Sequence, residues 1–242
     1  METGFRAESL EKVIRLGGIA SQIGPHPLLG STLVLKGGTA LNLFFGPPPR
    51  LSVDLDFNYV GAPDRDGMLR ERPRIEKVVE DIGRSQGYLL QRSGDDHAGR
   101  KIYFSYVNLA GIRDRIEIDL NFVHRIGFGS TRKEPMWQPG EFPRPELTLA
   151  GLEDICAGKL CALMSRCRPR DLYDATRLPK IAIQFWHSHQ FKRLFVAFSG
   201  MLDHPLHAYK RERLNRVDQA QVDMELVSML AGRGPASASE LV

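Results

Sequence analysis

The run Leu51-Ser52-Val53-Asp54-Leu55-Asp56-Phe57-Asn58-Tyr59 constrains this chain more than any other. Leu51, Val53, Leu55 and Phe57 alternate with Ser52, Asp54, Asp56 and Asn58. A period of two predicts a strand with one face in the core and one polar face. Asp54 and Asp56 then share the polar face. Two like charges about 4 Å apart repel by on the order of 4 kcal/mol at an effective dielectric of 20. Asp is also a poor strand former. The pair therefore favours a bound cation, and Mg²⁺ suits oxygen donors. A solvated strand face is the competing reading.

Residues 115–122 alternate in the same way. Ile116, Ile118 and Leu120 face one side, and Glu117, Asp119 and Asn121 the other. Asp119 is thus a third carboxylate on a polar strand face. Three carboxylates from two strands suit a pair of Mg²⁺ ions in an in-line phosphoryl or nucleotidyl transfer. Just upstream, residues 32–36 read as a short strand that ends at Lys36-Gly37-Gly38-Thr39. Glycines at a strand-to-helix turn let a phosphate approach the backbone, and the helix start beyond them offers free N–H groups. Thr39 suits the cap of that helix, and Gly46-Pro47-Pro48-Pro49 ends it.

The rest of the pattern divides the chain. Helices are expected over 8–23 and 67–85, and strands over 88–92 and 101–108. Residues 123–147 are rich in Gly, Pro and polar side chains and read as a loop or linker. Helical patterns follow over 149–166, 170–178, 181–198 and 207–230, with a frayed tail over 232–239. The fold class expected is α+β, with an α+β domain over 1–135 and a mainly helical domain over 136–242.

Cys156, Cys161 and Cys167 fit no common zinc spacing and read as reduced thiols. The seven His show no metal or triad spacing. Phe185, Trp186, Phe191, Phe195 and Phe198 recur at helical steps and read as core. No apolar run reaches the roughly 18 to 20 residues that span a bilayer. Residues 1–6 lack the charged-then-apolar pattern of a signal peptide. A cytoplasmic protein without a membrane partner is expected.

The run Leu35-Lys36-Gly37-Gly38-Thr39-Ala40-Leu41, followed by Arg50-Leu51-Ser52-Val53-Asp54-Leu55-Asp56-Phe57, resembles the signature of the AbiEii/AbiGii (MenT-type) toxins. That family lies in the DNA polymerase β-like nucleotidyltransferase superfamily. Lys159-Leu160, Arg166 and Arg170-Asp171-x-Tyr173-Asp174 resemble its downstream Lys and Arg-Asp-x-x-Asp motifs. The resemblance spans residues 35–178. It implies a polymerase β-like core with a mixed sheet and a C-terminal helical domain.

It also implies a transfer of NMP from an NTP to an RNA acceptor, the tRNA 3′ end first among them. Asp54, Asp56 and Asp119 would be metal ligands for Mg²⁺, with Mn²⁺ as an alternative. Lys159 would join them in catalysis. Lys36, Gly37, Gly38, Thr39, Arg50, Ser52, Asp171 and Asp174 would bind the nucleotide. Asp171 could cap its helix, orient Lys159 by a charge-assisted bond or approach the metal, with a structural ion pair between Arg170 and an acid as the competing reading. Gly38 replaces the Ser of many superfamily members, and Thr39 is the hydroxyl offered in its place.

A type IV toxin–antitoxin or abortive-infection role with an AbiEi-like antitoxin follows from the same resemblance. Transfer to a small molecule or protein, and a catalytically weak nucleotide-binding module, are the rival readings. The net charge of +4 permits an RNA partner, since 24 of the 33 basic residues are arginines and arginine grips phosphate with two hydrogen bonds. Lys210, Arg211, Arg213 and Arg216 form a basic cluster suited to RNA phosphates or to a solvated face.

Overall fold

The computed structural model describes residues 3–94, 99–232 and 237–241. The elements in the first part of the chain are α1 (Ala7–Ile23), α2 (Leu29–Thr32), β1 (Leu33–Lys36), α3 (Gly37–Leu43), β2 (Asp54–Tyr59) and α4 (Arg65–Ser85). The strands β3 (Leu89–Arg92), β4 (Gly99–Val107), β5 (Arg113–Asn121), β6 (Arg132–Pro135) and β7 (Glu146–Leu149) follow. Then come α5 (Leu152–Arg166), α6 (Pro169–Ile181), α7 (His189–Ser199), α8 (Gln219–Glu225) and α9 (Ala238–Leu241).

The seven strands form one mixed sheet in the order β3-β4-β5-β2-β1-β7-β6. β2 pairs with β5, and β1 with β7, in parallel; the other neighbours are antiparallel. The alternation of β2 and β5 sets the layers. Leu55, Phe57, Ile116, Ile118 and Leu120 are buried, with Ile102 and Phe104 of β4 beside them. Val13 and Leu16 of α1 and Ile75 and Val79 of α4 join the same core. The opposite, polar face is left for α3 and α5 to flank.

The structure corrects several sequence expectations. The stretch 123–147 is no plain linker, because β6 and β7 form a hairpin that adds two strands to the sheet. Leu149 belongs to β7, not to a helix, and pairs with Leu35. The sheet thus runs across the boundary drawn at 135/136, which falls inside that hairpin. The main core also runs on into Ile155, Cys156, Leu178 and Phe191. A second, smaller cluster holds Cys167, Leu172, Val217, Val222, Leu226, Leu230 and Leu241.

The helix expected over 181–198 breaks after α6, and α7 restarts where Ser188 caps it by accepting from Phe191 N at 3.1 Å. The helix expected over 207–230 is a series of 3₁₀ turns around α8. The cap at Asp218, which accepts from Gln221 N, starts α8 inside it. Residues 233–236 of the expected tail lie outside the described residues.

The strand expected from Leu51 begins at Asp54. Arg50 and Leu51 instead meet the end of the chain: Leu51 N donates to Met229 O at 2.7 Å, and Arg50 bridges Leu230.

Candidate active site

Strand register lines up four charged residues across the sheet. Lys36 of β1 lies opposite Asp56 of β2, Asp56 opposite Asp119 of β5, and Asp119 opposite Lys101 of β4. In the next row Asp54 lies opposite Glu117. Strand periodicity puts both rows on the polar face. The order is therefore cation, acid, acid, cation. Lys101 Nζ bonds the Glu117 carboxylate and stands 3.6 Å from Asp119 Oδ2.

Burial, then the charge of Asp56, pushes the Asp54 carboxyl up to about 6, with Arg170 pulling the other way. Burial and Asp56 also raise Asp119, against Lys101 and Lys36. Both shifts express an excess of negative charge in a partly desolvated place.

The turn between β1 and α3 fits closely over this row. Gly37 has φ +74°, a left-handed conformation, and a Cβ there would collide with the Asp56 carboxylate. A Cβ on Gly38 would stand 2.8 Å from Ser52 Oγ, 3.1 Å from Arg50 Nη2 and 3.3 Å from Lys159 Nζ. The hydroxyl at this turn is therefore that of Ser52. Thr39 is fully buried and its hydroxyl bonds the Asp54 carbonyl, so it ties α3 to β2 and is not offered to a ligand.

Beneath Gly38 sits a buried ionic cluster. Asp174 of α6 accepts from Arg50 Nε at 2.7 Å and Arg50 Nη2 at 2.6 Å, and pairs with Lys159 Nζ of α5 at 2.7 Å. Asn42 Nδ2 adds a fourth contact at 3.1 Å and also donates to Gly38 O at 2.9 Å. Burial alone pushes the Asp174 carboxyl up, but Lys159 and Arg50 together hold it well below the usual carboxylate range.

Asp174, not Asp171, therefore orients Lys159. Asp171 pairs with Arg166 at 2.8 Å, beside the C-terminal end of α5. The two aspartates are three residues apart on one helix, and sequence spacing alone left their roles interchangeable.

The row and the turn open on a cavity of about 400 Å³. Lys36, Gly37, Gly38, Asp56, Asp119 and Lys159 line it. Arg50, Ser52 and Asp54 are not among its lining residues. Among the described residues, no three His, Cys, Asp or Glu side chains are already gathered as a metal site. The donor set still fits Mg²⁺, which takes one or two carboxylates and completes its shell with water and substrate phosphates. The two carboxyls raised by burial and by the Asp56 charge would be relieved by such a cation.

A family model described as nucleotidyl transferase AbiEii toxin, type IV TA system, matches residues 22–233. The chain belongs to this family. Membership makes the protein a nucleotidyltransferase toxin of a type IV toxin–antitoxin system, with an NTP as substrate and an antitoxin as partner.

Among solved structures the chain is similar to MenT4, a nucleotidyltransferase toxin from Mycobacterium tuberculosis, at 22% identity and a TM-score of 0.58, over 86% of this chain and 73% of that one. A nucleotidyltransferase-like antigenic protein from Paracoccidioides brasiliensis is similar at 12% identity and a TM-score of 0.46, over 78% and 88% of the two chains. No curated protein matches the sequence.

For an AbiEii family member, several neighbours of the site carried no sequence signal of their own. Lys101 belongs to the site only through register, which a single sequence does not reveal. Asn42 and Arg177 join it because Arg177 Nη1 donates to Asn42 Oδ1 at 2.8 Å, across 135 residues of chain. Phe198, expected in the core, is half-buried and lines the cavity.

Cys156, Cys161 and Cys167 are free and buried, as expected. Burial pushes the Cys156 thiol up to about 12 and Cys161 up to about 11, so they stay unreactive. Among the described residues no helix is long and apolar enough to cross a membrane.

Proposed function

We propose that this protein transfers NMP from an NTP to the 3′ end of an RNA, tRNA first among the acceptors. The observation that carries this reading is one cavity lined by two aligned carboxylates, a glycine turn and a buried, aspartate-held lysine.

Asp54, Asp56 and Asp119 would hold Mg²⁺, or Mn²⁺ in its place, which when bound offsets charge on the triphosphate and the leaving pyrophosphate. Gly37 and Gly38 leave room for phosphate oxygens against the backbone. Lys159 faces those oxygens with its ammonium fixed by Asp174, so little reorganisation is needed as charge develops. Lys36 adds a second cation at the cavity edge. The acceptor 3′ oxygen bonds the α-phosphorus, and the bond from that phosphorus to the pyrophosphate oxygen breaks. Asp119 takes the hydroxyl proton as general base.

The test incubates the protein with labelled NTPs, Mg²⁺ and total tRNA. Label is expected at RNA 3′ ends with the wild type and is expected to vanish with Asp56→Ala. Absence of label from every RNA overturns the RNA acceptor. Label on a protein or a small molecule moves the acceptor to that class.

A further inference from the structure

The lining of the cavity has two chemically different parts. Lys36, Lys159 and the glycine turn make one of them polar and charged. In the other, Phe198 of α7 and His124 stack with ring centroids 5.8 Å apart and planes 17° from parallel. Ile126 and Met201 complete that wall, and all four side chains line the same cavity. Met201 Sδ also touches His124 Nε2. Burial, then the nearby Lys36 charge, lowers the His124 pKa, with Asp154 pulling the other way.

The loop carrying His124 and Ile126 is pinned to α5. Asp154 Oδ2 accepts from Phe128 N and Gly129 N, each at 3.0 Å. Ile126 remains 68% exposed and Phe128 64% exposed. A fixed aromatic and apolar wall beside a charged phosphate end is the chemistry of a nucleotide, with a flat π-face and a polyanion joined at a short distance.

We infer that Phe198 and His124, with Ile126 and Met201 at their sides, form a nucleobase-stacking wall of the active-site cavity. The inference rests on the transferase reading and adds the subsite that reads the base. The base comes from one of two sources, the incoming NTP or the terminal nucleotide of the acceptor RNA. Base–aromatic stacking is worth about 5- to 150-fold in affinity, and its sequence tolerance leaves selection among the four bases to other contacts.

The test measures binding of each NTP and of inorganic tripolyphosphate in Mg²⁺ buffer, with KM for tRNA measured alongside. Phe198→Leu is expected to weaken NTP binding about tenfold or more while tripolyphosphate binds as before, and Phe198→Trp is expected to keep NTP binding. Unchanged NTP binding with a tRNA KM raised about tenfold assigns the wall to the acceptor base. If neither quantity moves in Phe198→Leu, the wall is overturned. His124→Ala gives the same two readings where Phe198→Leu melts below the wild type. A wild type that binds NTP yet labels no RNA overturns the transferase reading alone, because the binding arm still judges the wall.

Discussion

Asp174 binds two cations with no exposure to water. Removing it would leave Arg50 and Lys159 buried without a counter-charge. Asp174→Ala is therefore expected to cost about 3–5 kcal/mol of stability, read from urea or guanidinium unfolding. Lys159→Met differs, because Asp174 keeps its paired bonds to Arg50. That variant is expected to hold most of its stability while kcat falls about 10²- to 10³-fold. Equal destabilisation by both variants would show Lys159 to be mainly structural.

Asp54 supplies a pH signature. Its native carboxyl keeps its proton up to about pH 6, whereas an unfolded Asp releases it near 3.9. Between those values the native state binds more protons, so this residue makes stability fall as pH rises from about 4 to about 6. In metal-free buffer the fall is expected to be on the order of 2 kcal/mol, and Asp54→Asn is expected to flatten it. An unchanged profile in Asp54→Asn would place the charge excess elsewhere.

At the scale of elements, the approach of the 127–129 loop to the start of α5 depends on two glycines. A Cβ on Gly151 would stand 2.5 Å from Gly129 Cα and 2.7 Å from its carbonyl carbon. Gly151→Ala is expected to cost about 1–3 kcal/mol by overpacking and to raise KM for the NTP, since the displaced loop carries one wall of the cavity. A normal KM in a folded Gly151→Ala protein would separate that loop from substrate binding.

Elements also show what was legible in the sequence. The alternation of β2 and β5 announced strand, core face and carboxylate face together, because period two needs no tertiary information. The four-residue strands β6 and β7 were too short for such a pattern and lay among Pro and Gly. The helical pattern of 207–230 was misleading: its apolar residues serve a small second core, reached by turns in place of one helix. At the site, the motif residues were legible one by one, but their partnerships were not. Arg50 and Asp174 meet across 124 residues, and Lys101 reaches Asp119 only through sheet register.

On the scale of the whole molecule, a net charge of +4 hides a separation of charge. The carboxylates of the site sit on β2 and β5, while Lys210, Arg211 and Arg216 are exposed on a 3₁₀ turn. Arg213 Nη2 ties that turn to Ser165 O of α5 at 3.2 Å, next to Arg166, which lines the cavity. An RNA acceptor of the kind proposed would meet this turn if its end entered the site. Replacing Lys210, Arg211 and Arg216 by Ala is expected to reduce the slope of log affinity for tRNA against log salt by about 2, with NTP affinity unchanged. An unaltered slope would point to a different face, or to an acceptor that is not a polyanion.

The long bridge from Arg50 to Asp174 also sets a clock. On the ribosome, a chain grows at about 5–20 residues per second, so Arg50 emerges roughly 6 to 25 seconds before its acid partner. The end of the chain arrives later still to cover it, through Leu230. Late in that interval the nascent polypeptide carries the aspartates of β2 and β5 and the glycine turn but still lacks the lysine clamp that Asp174 holds in place. A cell translating such a toxin has the time of its own elongation before the first poisonous copy exists.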